Sequence, residues 1–437
     1  MEWENYLFSL SRFGIKLGLG PTATFSQMLG NPHETFRSAH ITGSNGKGST
    51  SHFIYNIFKR KMRSGLYTSP HLRRFNERVI VDDQEIPSSF IEDFIRKNPT
   101  KINYNGELTQ LTFFEYTTVM AFDYFRKMGV QFASVEVGLG GRLDSTNIIY
   151  PEVSVITSVS LEHSDKLGGS IEDIAREKGG IIKKGKPVVI GKMTQQAKDI
   201  LLDIAREKGS EFREVENCSV RNLAYSLDGT RFTLDTGRDE YQVFLKALGS
   251  HQISNSIAAI LASESISFAP GKEDMLRALA ETVVAGRFEI RRRRPLFILD
   301  SAHNSEASRV LSDNIKLYGI RDPLIVLGVL KDKNSYNILQ NLSEVSSKII
   351  VTEPNEPERK KDANDLRKEA SLFFQDIEVV PKLQRAVTLA YQRNEEVVVT
   401  GSMYLVGEAE NVLDRLTTEG RTVDETGSSS GKELPVE

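Results

Sequence analysis

Apolar and polar positions change rhythm repeatedly along this chain. Short apolar runs alternate with stretches in which apolar residues return every third or fourth position. That is the pattern of an α/β protein built on parallel sheets. Residues 38–42 (SAHIT) predict a strand that runs into a glycine-rich loop, and 50–61 predict the helix beyond it. A short strand is predicted at 66–69. Within 113–127, Phe114, Thr118, Ala121, Phe122 and Phe125 recur at helical spacing. Residues 132–137 (FASVEV) and 153–157 (VSVIT) predict buried strands. Residues 170–178 predict a helix with Ser170 as its cap and Glu172 and Asp173 in its first turn.

The rhythm shifts over 220–246, where short alternating runs and the turns DGT and DTGRD predict hairpins. A helix is predicted at 252–265. From Leu296 the alternation returns as LFILD, a helix at 304–317, LIVLG, KIIVT, helices at 362–374 and 384–392, and VVVTG. A domain boundary is expected between about residues 286 and 295. Residues 417–437 lack apolar periodicity and read as a disordered tail. The chain has no internal repeat. No run approaches the roughly 18 apolar residues of a membrane span, and the first residues, MEWENYLFSLSRFG, carry no signal-peptide core.

Composition adds limits. A chain of 437 residues exceeds one ordinary core, so two domains are expected. Lys plus Arg number 56 against 59 Asp plus Glu, a formal charge of -3. A general nucleic-acid binder needs a basic excess that is missing here. The single cysteine, Cys218, forms no intrachain disulfide, which fits a reducing cytoplasm. Neither nucleic acid nor membrane is expected as a partner, and the chain is expected to act as a cytoplasmic monomer.

The sharpest local feature is Thr42-Gly43-Ser44-Asn45-Gly46-Lys47-Gly48-Ser49-Thr50, between a predicted strand and helix. Its glycines let successive N–H groups turn toward phosphate oxygens, the helix N-terminus adds partial positive charge, and Lys47 supplies a full one. The loop departs from the common G-x-x-x-x-G-K-[ST] spacing, because Gly43 and Gly46 stand closer together and Gly48 follows the lysine.

Together with HITGSNGKGST, the motifs YTSPHL (67–72), FNER (75–78), LTFFE (111–115), EVGLGGRLDSTN (136–147), LEH (161–163), EKGGI (177–181), HQ with Asn255, GRFE (286–289), LDSAHN (299–304) and GSMYLVG (401–407) occur in one order. In that order the chain resembles the folylpolyglutamate synthase and dihydrofolate synthase family of the Mur ligase superfamily, over roughly residues 10–410. The resemblance implies a P-loop ATPase domain with a mostly parallel sheet over 1–288. It implies a smaller, Rossmann-like, glutamate-binding α/β domain over 289–416, with 417–437 as the tail. The implied reaction is ATP-dependent addition of L-glutamate to a pterin or folate carboxylate. An acyl phosphate forms first, and ADP and phosphate leave.

Such chemistry brings a carboxylate against a polyanionic phosphate tail. One like-charge pair at 4 Å costs about 4 kcal/mol at an effective dielectric of 20, so lysines and hard cations must offset several such terms. The resemblance implies ATP contacts at Gly43, Ser44, Asn45, Gly46, Lys47, Gly48, Ser49, Asn255, Arg287 and Asp300. It implies Mg²⁺ ligands, for two ions, at Ser69, Glu136 and His163. Lys47, Glu136, His163 and Lys178 would form the catalytic set, with Lys178 carried as a carbamate. Glu115, His303 and Ser402 would line the substrate. For Glu136 the plain alternative is a structural ion pair, and for Lys178 an exposed lysine at a helix C-terminus. Glu115 suits a helix first turn whatever its role. The chain departs from the family at Glu162, Gly179 and Ser301, where Asp, Ala and Gly are usual, and lacks a tryptophan before Gly286. The run from Arg291 to Arg294 reads as a solvated patch or as an attractor of anionic polyglutamate.

Two further readings are weighed. Another Mur-type ligase, acting on a cell-wall precursor, is disfavoured because only residues 1–42 precede the loop here. A non-catalytic nucleotide-binding regulator is disfavoured by the presence of Lys47, Glu136, His163 and Lys178. Matched residues on both sides of the boundary lead to the expectation that closure of the second domain assembles the site.

Overall fold

Parallel strands buried on both faces need apolar side chains at nearly every position. The computed structural model describes residues 3–426 except 15, 17, 162–166 and 357; for 13 and 419–426 it describes the backbone alone. His163 therefore lies outside the described residues. The chain divides into two compact units, Met1–Val284 and Ala285–Glu437.

The first unit is built on eight strands. They are β1 (Arg37–Thr42), β2 (Ser64–Tyr67), β3 (Val79–Val81) and β4 (Gln84–Glu85), then, after a separate hairpin of β5 (Lys101–Tyr104) and β6 (Glu107–Gln110), β7 (Phe132–Glu136), β8 (Val153–Ile156), β9 (Val188–Ile190) and β10 (Phe212–Glu214). Their order is β10-β9-β8-β1-β7-β2-β3-β4. All pairs from β10 to β2 are parallel, and β3 and β4 close one edge antiparallel. Helix Lys47–Phe58 packs on one face with His251–Glu264, and helix Phe113–Lys127 on the other. The 220–246 segment is the expected antiparallel element, a meander of β11 (Ser219–Ser226), β12 (Gly229–Asp235) and β13 (Glu240–Leu245).

The second unit holds β14 (Glu289–Arg293), β15 (Leu296–Leu299), β16 (Leu324–Leu327), β17 (Lys348–Glu353), β18 (Asp376–Lys382) and β19 (Val397–Thr400). Their order is β14-β15-β19-β16-β17-β18, with β14 antiparallel and the rest parallel. The last helix spans Met403–Thr426, so residues 417–426, expected in the tail, are helical. Leu405, Val406, Ala409, Val412 and Leu413 anchor its start by burial. Elongation then costs little once a helix is nucleated.

The arginine run is neither a solvated patch nor a free attractor at two of its positions. Arg291 pairs with Glu289, Glu410 and Asp414. Arg292 bonds to the carbonyls of Pro295 and Tyr391 and lies 4.4 Å over the Tyr391 ring.

Candidate active site

In an open parallel sheet the carboxyl ends of neighbouring strands share one edge, where ligands bind. β1 and β7 are adjacent, with Ile41 opposite Glu136 in register. The loop after β1 and the carboxylate ending β7 are therefore set side by side. Gly46 has φ of 87° and caps helix Lys47–Phe58, a conformation glycine adopts without a Cβ penalty. A Cβ there would also stand 2.4 Å from Asn255 Oδ1 on helix His251–Glu264. Asn255 Nδ2 donates to Gln252 Oε1 at 3.0 Å, and Gln252 Nε2 donates to Ser49 Oγ at 3.3 Å. Lys47 Nζ donates to the carbonyls of Gly43 at 2.7 Å and Ser44 at 3.3 Å, so its charge lies over its own loop.

Glu136 is buried. Its Oε2 accepts the Ser69 N–H at 3.2 Å and lies 3.6 Å from where a Cβ on Gly48 would be. Four sequence-derived groups thus meet at one edge of the sheet: the 43–49 loop, Ser69, Glu136 and Asn255. Glu136 and the Ser69 hydroxyl are hard oxygen donors, the type magnesium takes.

Lys178 is only 1% exposed, in the last turn of helix Ile171–Gly179, which rules out the exposed-lysine alternative. The Ser170 cap on that helix is present, its side chain accepting the Asp173 N–H at 3.1 Å. The glycine loop after β7 packs on the helix end: Arg142 N–H donates to the Glu177 carbonyl at 2.8 Å and its guanidinium pairs with the Glu177 carboxylate. Asp144 holds that loop through the N–H groups of Leu139 and Thr146, and burial pushes its carboxyl above the usual range.

Glu115 is buried, and its Oε2 accepts the Thr112 N–H at 2.7 Å while Thr112 Oγ1 accepts the Glu115 N–H at 3.3 Å. This is a capping box that starts helix Phe113–Lys127.

In the second unit, Asp300 directly follows β15. Its two oxygens accept the N–H groups of Phe288 at 2.8 Å and Ala302 at 2.9 Å. Burial raises its carboxyl above the usual range, and nearby Arg287 works against that. Ser301 Oγ donates to the Gly286 carbonyl at 2.9 Å, a bond that glycine at this position would lack. Asp300 and Ser301 together fix the turn that carries Arg287, in which Phe288 has φ of 46°. His303 Nδ1 lies 2.9 Å from the Ser301 carbonyl. The Ser402 hydroxyl, buried, accepts the Leu405 N–H at 3.2 Å and caps the final helix.

Sequence reasoning passed over the residues after β8. Thr157, Ser158 and Ser160 bond to the 43–45 loop. The available signal was a polar run, TSVS, at the carboxyl end of a buried parallel strand.

A lysine-bearing loop between strand and helix, a carboxylate on the adjacent strand and a second α/β unit define a class, the Mur-type ligases. The Mur ligase middle domain matches residues 41–263, and the Mur ligase glutamate ligase domain matches 286–403. Within that class the chain belongs to the folylpolyglutamate synthase/dihydrofolate synthase family of ATP-dependent ligases. It is 32% identical over 422 residues to the dihydrofolate synthase/folylpolyglutamate synthase of Bacillus subtilis, covering 93% of this chain and 97% of that one. It is 31% identical over 432 residues to a probable bifunctional folylpolyglutamate synthase/dihydropteroate synthase of Haloferax volcanii, covering 95% of this chain but 50% of that protein. The chain thus spans about half the length of that archaeal relative. The folylpolyglutamate synthase of Thermotoga maritima superposes with a TM-score of 0.81 at 32% identity, covering 94% of this chain and 96% of that one. Escherichia coli FolC in complex with DHPP and ADP gives 0.83 at 27% identity, covering 95% and 99%.

Proposed function

We propose that this chain joins L-glutamate to the carboxylate of a pterin or folate acid at the expense of ATP. The γ-phosphoryl group passes to the acid carboxylate, the glutamate amine attacks the acyl carbon, and phosphate leaves with the amide formed. The observation that carries this reading is that the loop leading to Lys47 and the carboxylate of Glu136 follow from adjacent parallel strands, with Ser69 bonded to Glu136. Lys47 supplies positive charge to the transferred phosphoryl group, and the N-terminus of its helix orients the phosphates. Glu136 and Ser69, with His163, would hold magnesium, which when bound neutralises charge on the phosphates.

Lys178 is proposed as a carbamate. The modification converts a buried cation into an anion with two oxygen donors, which suits a site that holds a second divalent cation. Arg287 and Asp300 are proposed nucleotide contacts and His303 a substrate contact. The reading places a monomeric enzyme in the cytoplasm, which one cysteine in the whole chain accommodates. Among the described residues no helix is long and apolar enough to cross a membrane.

Lys47→Ala and Glu136→Gln are each expected to lower kcat by about 10²-fold or more, the scale of losing one preorganised electrostatic contact. Both should keep the wild-type circular dichroism. Phosphate release that depends on glutamate and a pterin acid is the measurement. Near-normal turnover in either variant contradicts the site. Lys178→Ala is expected to stop ligation while still binding ADP, and wild-type turnover in that variant contradicts the carbamate.

A further inference from the structure

The loop after β1 is held along one flank by the residues that follow β8. Thr157 Oγ1 donates to the Asn45 carbonyl at 2.6 Å. Ser158 Oγ accepts the Asn45 N–H at 2.9 Å and lies 3.0 Å from the same carbonyl. The Ser44 N–H donates to the Ser158 carbonyl at 3.0 Å, and the Ser160 N–H donates to Ser44 Oγ at 2.9 Å. The fit is tight, since a Cβ on Gly43 would stand 1.9 Å from Thr157 Oγ1. Thr157 is itself buried, and β8 lies directly beside β1 in the sheet.

These bonds have a directional consequence. The main-chain N–H of Ser44 and both main-chain polar groups of Asn45 are engaged toward the β8 side. Those peptide planes cannot rotate without breaking bonds in a half-buried setting, where an unmade bond is costly. The N-terminus of helix Lys47–Phe58 is then what the loop offers an anion, because its first N–H groups have no acceptor within the helix. We propose that Thr157 and Ser158 are positioning residues for the nucleotide. They act through Asn45 to fix the entry of the loop, and so aim the helix amides and Lys47 at the phosphates. This rests on the nucleotide-dependent reading above and extends it to residues outside the 43–49 loop. It also reassigns Ser44 and Asn45, whose main-chain N–H groups serve the flank rather than the phosphate.

The test uses the full chain with ADP and magnesium in a titration calorimeter, alongside steady-state kinetics. Thr157→Val keeps the side-chain shape and removes the hydroxyl; Ser158→Ala removes the second anchor; Thr157→Ser restores the hydroxyl. Each of the first two variants is expected to weaken ADP binding and raise the KM for ATP by about tenfold, or about 1.4 kcal/mol. The KM for glutamate should stay at the wild-type value, and Thr157→Ser should bind ADP as the wild type does. A role confined to fold stability would lower the melting temperature while leaving ADP affinity intact. ADP affinity unchanged in both Thr157→Val and Ser158→Ala overturns the proposal while the ligase reading stands. Failure of the wild-type chain to bind ADP overturns the ligase reading itself.

Discussion

Burial decides what several single residues do. Glu115 makes a reciprocal cap with Thr112. Thr112→Ala is expected to cost about 1 kcal/mol and lower the melting temperature, with the KM values for ATP and glutamate unchanged. A rise in either KM at unchanged stability would give Glu115 a substrate role instead. The signature T-x-x-E ahead of an apolar run stood in the sequence, so this cap was legible from residues 112–115 alone. His40 is a different case. It is fully buried on β1, with Nε2 2.9 Å from Thr146 Oγ1. Burial, reinforced by the Lys183 charge, holds its pKa well below the usual histidine range. The unfolded chain therefore takes up a proton near pH 6.5 that the folded chain refuses. The stability this neutral histidine contributes is present above that pH and is lost as pH falls below it. Urea denaturation from pH 7.5 to 5 should show the wild type losing more stability than His40→Gln. Parallel pH profiles would contradict the assignment. No sequence pattern distinguishes this histidine, because its neighbours Thr146 and Lys183 arrive from distant segments.

At the scale of elements, segments with a sustained apolar pattern were read closely and those without one were not. Helix Phe113–Lys127 and the strands β1, β7 and β8 fall within a residue or so of their predicted bounds, since each is a sustained apolar pattern with clear ends. The arginine run was read as surface charge because four like residues hide the alternation of β14, where Arg291 and Arg292 point to different partners. β18 (Asp376–Lys382), with Pro381 near its end, gave too weak a run to separate from the helices on either side. The site itself was half legible. Loop, Lys47 and Glu136 announce themselves by residue type and position at strand ends. The flank formed by Thr157, Ser158 and Ser160 does not, because it depends on β8 being laid beside β1 from more than a hundred positions away. Gly179 has a similar explanation. A Cβ there would meet Ile204 Cδ1 at 2.6 Å and Leu201 Cδ2 at 3.1 Å, so an alanine would require these side-chain ends on helix Gln195–Glu207 to shift.

At the scale of the whole molecule, two mostly parallel sheets each carry candidate site residues at the ends of their strands. In the first unit those ends carry the lysine loop and Glu136; in the second they carry Asp300 and the turn of Arg287. The near-neutral charge of -3 gives the chain no general field that would attract anions. In the proposed reaction, the acid presented decides which of the two activities named for the relatives this chain performs. The most direct measurement incubates the purified chain with ATP, magnesium and glutamate, offering dihydropteroate and a reduced folate in parallel, and resolves products by mass. At least one acid should gain one glutamyl residue for each ADP formed, and none should change when ATP is omitted. ADP formation with no glutamylated product from either acid would contradict the account.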